Sequence, residues 1–356
     1  MTDERKALYR LANSRISVEK QNKLLEIYGS ALELFSALPS DKVKEYVGKA
    51  YENLLHCDEK RLDEELHKLA SQGVRVLLRG YPDYPELLNQ KEVQPPTALY
   101  AKGNVKLLSK PCLCVVGTRR CTDYGKRVAT EWTAELAEKF VIVSGHATGI
   151  DTYAVKSCLA SGGSAIIVLA CGLDAYEMPD FMRKADPDKL LLITEYPTAT
   201  RAIKFFFQER NRILSGLSSA VLVVESAERS GTLITASKAV LQNRYVFAVP
   251  GNVFSDRSKG TNALIREGAI IATSVHDIFE DLGVDYKKQT SASNSIANLT
   301  TDEMKVYEFL CNGARHFDEI AMALKMSPVE ASTLLSVMEL EGIIEKKMQN
   351  YFALSI

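Results

Sequence analysis

Six apolar runs set the limits on what this chain can become: "CLCVVG", "FVIVSG", "SAIIVLA", "KLLLITEYP", "SAVLVVES" and "RYVFAVPG". Each is apolar on successive residues, not on every second one. A strand of that kind has no face suited to water, so it belongs in a parallel sheet covered on both sides. The segments between the runs, such as "YGKRVATEWTAELAEK" and "GTLITASKAVLQN", are long enough for crossover helices. The pattern predicts a doubly wound, extended Rossmann-like parallel sheet over residues 76–284.

The flanks read differently. Residues 1–75 space Leu and Ile three and four apart, as in "VEKQNKLLEIYGSALELFSAL" and "EKRLDEELHKLASQG", with Gly29 and Gly73 as stops. This predicts a helical domain of the SAM or helix-hairpin-helix kind, followed by a connector marked by Pro82, Pro85, Pro95 and Pro96. Residues 285–299 are Ser/Asn-rich and read as a linker. Residues 300–356 hold three helical stretches and a final pair of apolar runs, a winged-helix pattern. The expected whole is a multidomain α/β protein.

Composition excludes several classes. With 46% apolar and 25% charged residues over 356 positions, two or three packed domains are expected. Net charge is −1, so any attraction for nucleic acid must come from a local patch. The seven cysteines form no C-x-x-C and the five histidines do not gather near them, so no zinc site and no disulfide framework is expected. The opening "MTDERKALYR" lacks an apolar leader and no run reaches membrane-spanning length. A cytoplasmic chain with no membrane partner and no cofactor is expected.

In an open α/β sheet, ligands sit at the carboxyl ends of the strands. The loops there are Gly117-Thr118-Arg119-Arg120, Ser144-Gly145-His146-Ala147-Thr148-Gly149, Arg229-Ser230-Gly231-Thr232, and Pro250-Gly251-Asn252 with Ser258 to Asn262 behind it. Glycine lets the backbone approach a ligand, and helix N-termini present N–H groups to anions. Any one such loop is an ordinary capped turn; four on one sheet edge, two with arginines, predict a phosphate site. It fits neither nucleotide fingerprint. Seven residues separate Gly117 from Gly125 where a Walker loop has four, Arg127 stands in place of its hydroxyl residue, and Arg119 occupies the second glycine of G-x-G-x-x-G. Arg210-Asn211-Arg212, after Phe205, Phe206 and Phe207, offers a stacking and phosphate platform for a single strand. The plainer alternative makes the phenylalanines core and the arginines a solvated helix face.

Catalytic groupings are thin. His146 has no marked nucleophile beside it and reads as a hydrogen-bonded loop residue. Asp151 reads as a helix cap. Glu195 and Glu225 end strands, where they could serve as acids or orient the arginines.

The elements "VVGTRRCTDYG", "VSGHATGID", "VLACGLDAY", "ITEYP", "RNRILSGLSSAVLVVE", "RSGTLITAS", "FAVPGN" and "GTNALIREGA" occur in that order over roughly residues 78–283. This resembles the DNA-processing protein A family (DprA, also called Smf). The resemblance implies a homodimer that binds single-stranded DNA, protects it during natural transformation and helps load the recombinase RecA, without catalysis. It maps the family's DNA-contacting basic positions onto Arg119 and Arg229, with Arg120, Ser144, Gly145 and Lys259 in the same pocket. Departures fall at Ala154-Val155, Tyr176-Glu177 and Phe207-Gln208. A rival reading is a nucleotide phosphoribohydrolase-like enzyme of similar fold. Against it, Ile234 and Thr235 stand where that loop's catalytic glutamate is expected.

In the tail, Lys305, Arg315, Lys325, Lys346 and Lys347 face nine acidic residues, and five minus nine is −4. Its third helical stretch, from Pro328 to Glu341, has no Lys or Arg, and its Leu334, Leu335, Val337, Met338 and Leu340 read mostly as core. A protein-contact module is expected there, not a duplex reader.

Overall fold

A computed structural model of the chain describes residues 3–56, 59–285, 299–311, 313–340, 343–347 and 350–354. It divides into two compact units, Met1–Leu282 and Gly283–Ile356. Apart from residues 285 and 299, the expected linker lies outside the described residues.

The first unit opens with helices α1 (Asp3–Ala12), α2 (Val18–Tyr28), α3 (Ala31–Ser36), α4 (Asp41–Val47), α5 (Tyr51–Leu55) and α6 (Glu59–Ser71). Serine caps start three of them: the side chains of Ser17, Ser30 and Ser40 accept N–H bonds from the first turns of α2, α3 and α4. Leu11, Leu24, Leu34 and Leu54 form their own buried core.

The sheet follows: β1 (Val74–Leu78), β2 (Ala98–Gly103), β3 (Cys112–Val116), α7 (Asp123–Leu136), β4 (Val141–Ser144), α8 (Ile150–Ala160), β5 (Ala165–Val168), α9 (Asp180–Arg183), β6 (Leu190–Thr194), α10 (Lys204–Gly216), β7 (Ala220–Val223), α11 (Gly231–Leu241), β8 (Tyr245–Ala248), α12 (Lys259–Arg266), β9 (Ile270–Ile271) and α13 (Val275–Asp281). Its nine strands run in the order β1-β2-β6-β5-β4-β3-β7-β8-β9. The six apolar runs are β3 to β8, all mutually parallel, and β3 to β7 are buried at every position. Helix α7 packs on α8 and α10 on α11, the two layers that right-handed crossovers place on opposite faces. Strand order reverses between β3 and β7, which makes that gap the switch point.

The proline-marked connector is not merely a connector. Its two ends pair as β1 and β2, antiparallel to each other, and β2 pairs antiparallel with β6. Arg75 on β1, the edge strand, is exposed, and a charged edge discourages pairing with other sheets. The helical front rests on this edge. The Thr97 hydroxyl donates to Gln21 Oε1 at 2.6 Å, the Tyr100 hydroxyl to Asn13 Oδ1 at 3.2 Å, and Arg79 to Asn22 Oδ1 at 2.8 Å.

The second unit has helices Thr301–Leu310, Phe317–Leu324 and Pro328–Leu340, with strands Arg315–His316, Ile344–Lys346 and Tyr351–Leu354 in one sheet. Val306, Ile320, Leu335, Met338 and Phe352 form its core. Val337, expected with that core, is 39% exposed.

Candidate functional site

The four loops leave β4, β3, β7 and β8, which are consecutive in the sheet. The β3 and β7 loops therefore flank the switch point, where a doubly wound sheet opens a crevice. At the end of β3, Gly117 is buried and donates its N–H to Asp151 Oδ1 at 3.3 Å. The Thr118 N–H donates to the Glu225 carbonyl at 2.8 Å, which ties this loop to the β7 loop. The chain then turns outward, and Arg119 and Arg120 are exposed. Thr122 ends the turn as the cap of α7, accepting the Gly125 N–H at 3.2 Å.

Glu225 holds that cap from behind. Its carboxylate accepts from the Thr122 N–H at 2.9 Å and the Thr122 hydroxyl at 2.6 Å. The carboxylate therefore braces the first loop, and the expectation of an acid or an arginine-orienting group gives way to this geometry. In the β7 loop Arg229 is exposed, and Ser230 caps α11 by accepting the Thr232 N–H at 3.2 Å. Gly231 is exposed at the helix start while Thr232 is buried.

The β4 loop meets the β3 loop at Gly149. Its φ is +88°, and a Cβ there would lie 2.3 Å from the Thr118 carbonyl oxygen. Only glycine meets both demands. The Ile150 N–H donates to that carbonyl at 3.2 Å. The Ser144 side chain, expected in the pocket, is fully buried, with its hydroxyl donated to Val115 O at 3.0 Å. It ties β4 to β3.

Arg210, Asn211 and Arg212 also turn inward, which corrects both readings of this segment. Arg210 and Arg212 are each 4% exposed. Arg210 donates to the Gly145 carbonyl at 3.0 Å and to the Val168 carbonyl, and a Cβ on Gly145 would strike its guanidinium at 2.3 Å. Arg212 pairs with buried Glu195 and donates to Gln94 O at 2.8 Å. Asn211 donates to Gly231 O at 3.2 Å. Helix α10 connects β6 to β7, and its polar side chains bind carbonyls at the ends of β4 and β5, in the connector before β2 and at the start of α11. A sequence shows the arginines but not which face of the helix the sheet covers.

Asp151 joins this scaffold. It is 5% exposed and accepts from Gly117 N–H and, at 3.4 Å, from Ala147 N–H. Burial pushes its carboxyl pKa up, opposed by the charge of Arg210 and by those N–H groups. Burial likewise lowers the pKa of Arg210, opposed by Asp151. Helix α8 is capped at Gly149, so Asp151 works as an internal tie between loops and not as the cap expected of it.

Of the phenylalanines, Phe205 comes outward while Phe206 and Phe207 are half-buried. Phe205 is 59% exposed, Phe206 stacks on Tyr196 with centroids 4.1 Å apart, and the Phe207 ring lies 5.6 Å from the Arg119 guanidinium. That last distance suits a cation–π contact. The basic group beside the aromatics is Arg119, from a different loop. Lys259, at the start of α12, is exposed and paired with Asp256 at 2.6 Å.

His146 accepts or donates at Nδ1 with the Tyr176 hydroxyl at 2.9 Å, and burial lowers its pKa. Among the described residues, no group of three or more His, Cys, Asp or Glu is placed to hold a metal ion. None of their helices is long and apolar enough to cross a membrane. The arrangement offers exposed arginines and aromatic faces over a braced sheet edge, with Asp151, Glu195 and Glu225 turned to structural use.

Residues 75–283 match the family described as DNA recombination-mediator protein A, and residues 290–347 match the DprA winged helix domain. The chain is 40% identical over 226 residues to the DNA processing protein DprA of Bacillus subtilis, covering 62% of this chain and 76% of that one. It is 36% identical over 233 residues to that of Streptococcus pneumoniae, covering 65% and 80%. The X-ray structure of the pneumococcal protein superposes with a TM-score of 0.68 at 31% identity, covering 81% of this chain and all of the other. A structure of DNA processing protein A from Helicobacter pylori, described for its single-stranded DNA binding mode, gives a TM-score of 0.52 at 29% identity over 60% and 97%.

Proposed function

The chain belongs to the DNA recombination-mediator protein A (DprA/Smf) family, and from that premise we propose that it binds single-stranded DNA along the carboxyl edge of its sheet. The observation that carries this reading is the set of exposed cations at the switch point: Arg119 and Arg120 on one side and Arg229 on the other. Each is positioned by a loop braced from within. Phosphates lie against these arginines, and Lys259 joins them by exchanging its exposed pairing with Asp256, while Phe205 and the face of Phe207 take bases. Gly145, Ser230, Gly231 and Thr232 shape the loops, and Gly117, Thr118, Ser144, Arg210, Asn211 and Arg212 hold them in place. In the cell we assign the protein to the cytoplasm. There, as a homodimer, it protects incoming strands and delivers them to RecA.

The phosphoribohydrolase-like alternative needs a carboxylate free to act at the β7 loop. Glu225 is occupied by Thr122 and Glu195 by Arg212; Glu228 is exposed in that loop, but positions 234 and 235, where the rival's catalytic glutamate is expected, are Ile and Thr. Nothing favours that reading over binding.

The test is a titration of labelled single-stranded oligonucleotides at several salt concentrations. Arg119→Ala and Arg229→Ala are each expected to weaken binding to all sequences and to flatten the salt slope by about one unit for each phosphate left without its cation. Wild-type affinity and slope in both variants would remove the site from this edge.

A further inference from the structure

The loop that leaves β8 holds two large apolar side chains in water. Phe254 is 91% exposed and Val253 71%. A loose loop exposes such groups in passing, but this one is framed by hydrogen bonds. Asn252 accepts the Phe254 N–H on its side chain at 2.9 Å and the Ser255 N–H on its carbonyl at 2.9 Å. At the base, the Asn262 side chain accepts the Gly251 N–H at 3.2 Å and donates to the Gly251 carbonyl at 3.0 Å. The phenyl ring is thus held out at the expense of the stabilisation that burial gives.

The same loop abuts the phosphate-facing ones. Ser226 N–H donates to Arg257 O at 2.8 Å, and Gly260 N–H to Ser226 O at 2.8 Å, so the loop runs beside the segment that carries Arg229. Tyr124, 47% exposed and four residues beyond Arg120, donates its hydroxyl to Pro250 O at 2.9 Å. Arg229 and Arg257 bring positive charge to this corner. Lys259 is paired with Asp256, and Glu228 is the other nearby carboxylate.

We propose that Phe254 is a base-stacking residue that extends the interface across the end of β8. It takes the face of an unpaired nucleobase whose neighbouring phosphates lie on Arg229 and the β3 loop. An unpaired strand alternates flat aromatic faces with negative charges, and this edge alternates exposed rings with arginines. The inference rests on the single-strand reading above, and its test separates the two.

Full-length wild type, Phe254→Ala, Phe254→Tyr and Arg119→Ala are titrated with a fluorescein-labelled oligothymidine at several salt concentrations, and self-association is followed by sedimentation. Phe254→Ala is expected to weaken binding by about 5- to 100-fold at every salt with an unchanged slope, since stacking releases no counterions. Phe254→Tyr keeps the ring and stays within a few-fold of wild type. If Arg119→Ala flattens the slope while Phe254→Ala binds as wild type, the stacking role fails and the single-strand reading stands. Should Phe254→Ala lose affinity only as far as it loses self-association, the ring belongs to an interface between copies and the proposal is overturned. Failure of wild type to bind would sink both readings.

Discussion

Asp151 lies where the β3 loop, the β4 loop and Arg210 of α10 come together, and all three lean on its charge. Removing that charge leaves a guanidinium that is 4% exposed without its electrostatic partner. Arg210 keeps its bonds to the Gly145 and Val168 carbonyls, but a buried guanidinium that loses a nearby opposite charge is left less well balanced. Asp151→Asn is therefore expected to lower unfolding free energy by roughly 1–3 kcal/mol, the cost of a buried N–H left without its acceptor, measured by denaturant titration. Single-strand affinity should fall with it, since the amide keeps only one acceptor oxygen where the Gly117 and Ala147 N–H groups used two. A variant as stable as wild type would show that Asp151 is dispensable to the scaffold. In the sequence, this residue was indistinguishable from a helix cap, because capping and internal bridging call for the same side chain near a helix start.

Helix α13 shows the same chemistry at an element's end, in the open. Asp277 and Ser274 form a capping box. Partial burial works to raise the Asp277 pKa, but bonds from the Ser274 hydroxyl at 2.6 Å, the Thr273 N–H at 2.7 Å and hydroxyl at 2.8 Å, and the Ser274 N–H at 3.0 Å outweigh it and hold the carboxyl at about 2. A folded pKa below the unfolded value means stability that is fully present above about 4 and lost as pH falls through about 2. Asp277→Ala is expected to cost about 1 kcal/mol at pH 7. The difference from wild type should shrink as the pH falls below 4, read from unfolding curves across that range. A constant difference would mean that the ionised carboxylate is not what caps the helix. Because α13 packs on α7, and its Phe279 stacks on Phe140 just before β4 with centroids 6.0 Å apart, its fraying loosens the packing on that helical layer.

At the scale of the whole molecule, the winged-helix unit stands apart chemically. Its third helix carries no Lys or Arg, and Val329 on that helix is 76% exposed. Of the wing lysines, Lys347 pairs with Glu345 at 2.5 Å and Lys346 lies 5.8 Å from the Phe352 ring. A major-groove reader needs cations free to meet phosphates. Deleting residues 286–356 is accordingly expected to leave single-strand affinity within a few-fold of the full chain. Tight duplex binding by the separate tail at physiological salt would reverse this assignment.

The sequence by itself determined the six parallel strands, the helices between them, the winged-helix pattern and the edge on which the loops gather. Those features follow from periodicity and local punctuation, which act over a few neighbouring residues. It determined Arg119, Arg120 and Arg229 as outward cations for the same reason: each sits in a turn. The tertiary structure alone decided that Arg210 and Arg212 face inward, that Glu225 grips Thr122 from 103 residues away, and that the proline-marked connector supplies two strands. Burial of a charge depends on what packs against it from distant parts of the chain. In "FFFQERNR" only the packing of α10 against the sheet separated Phe205, which faces water, from the guanidiniums that do not.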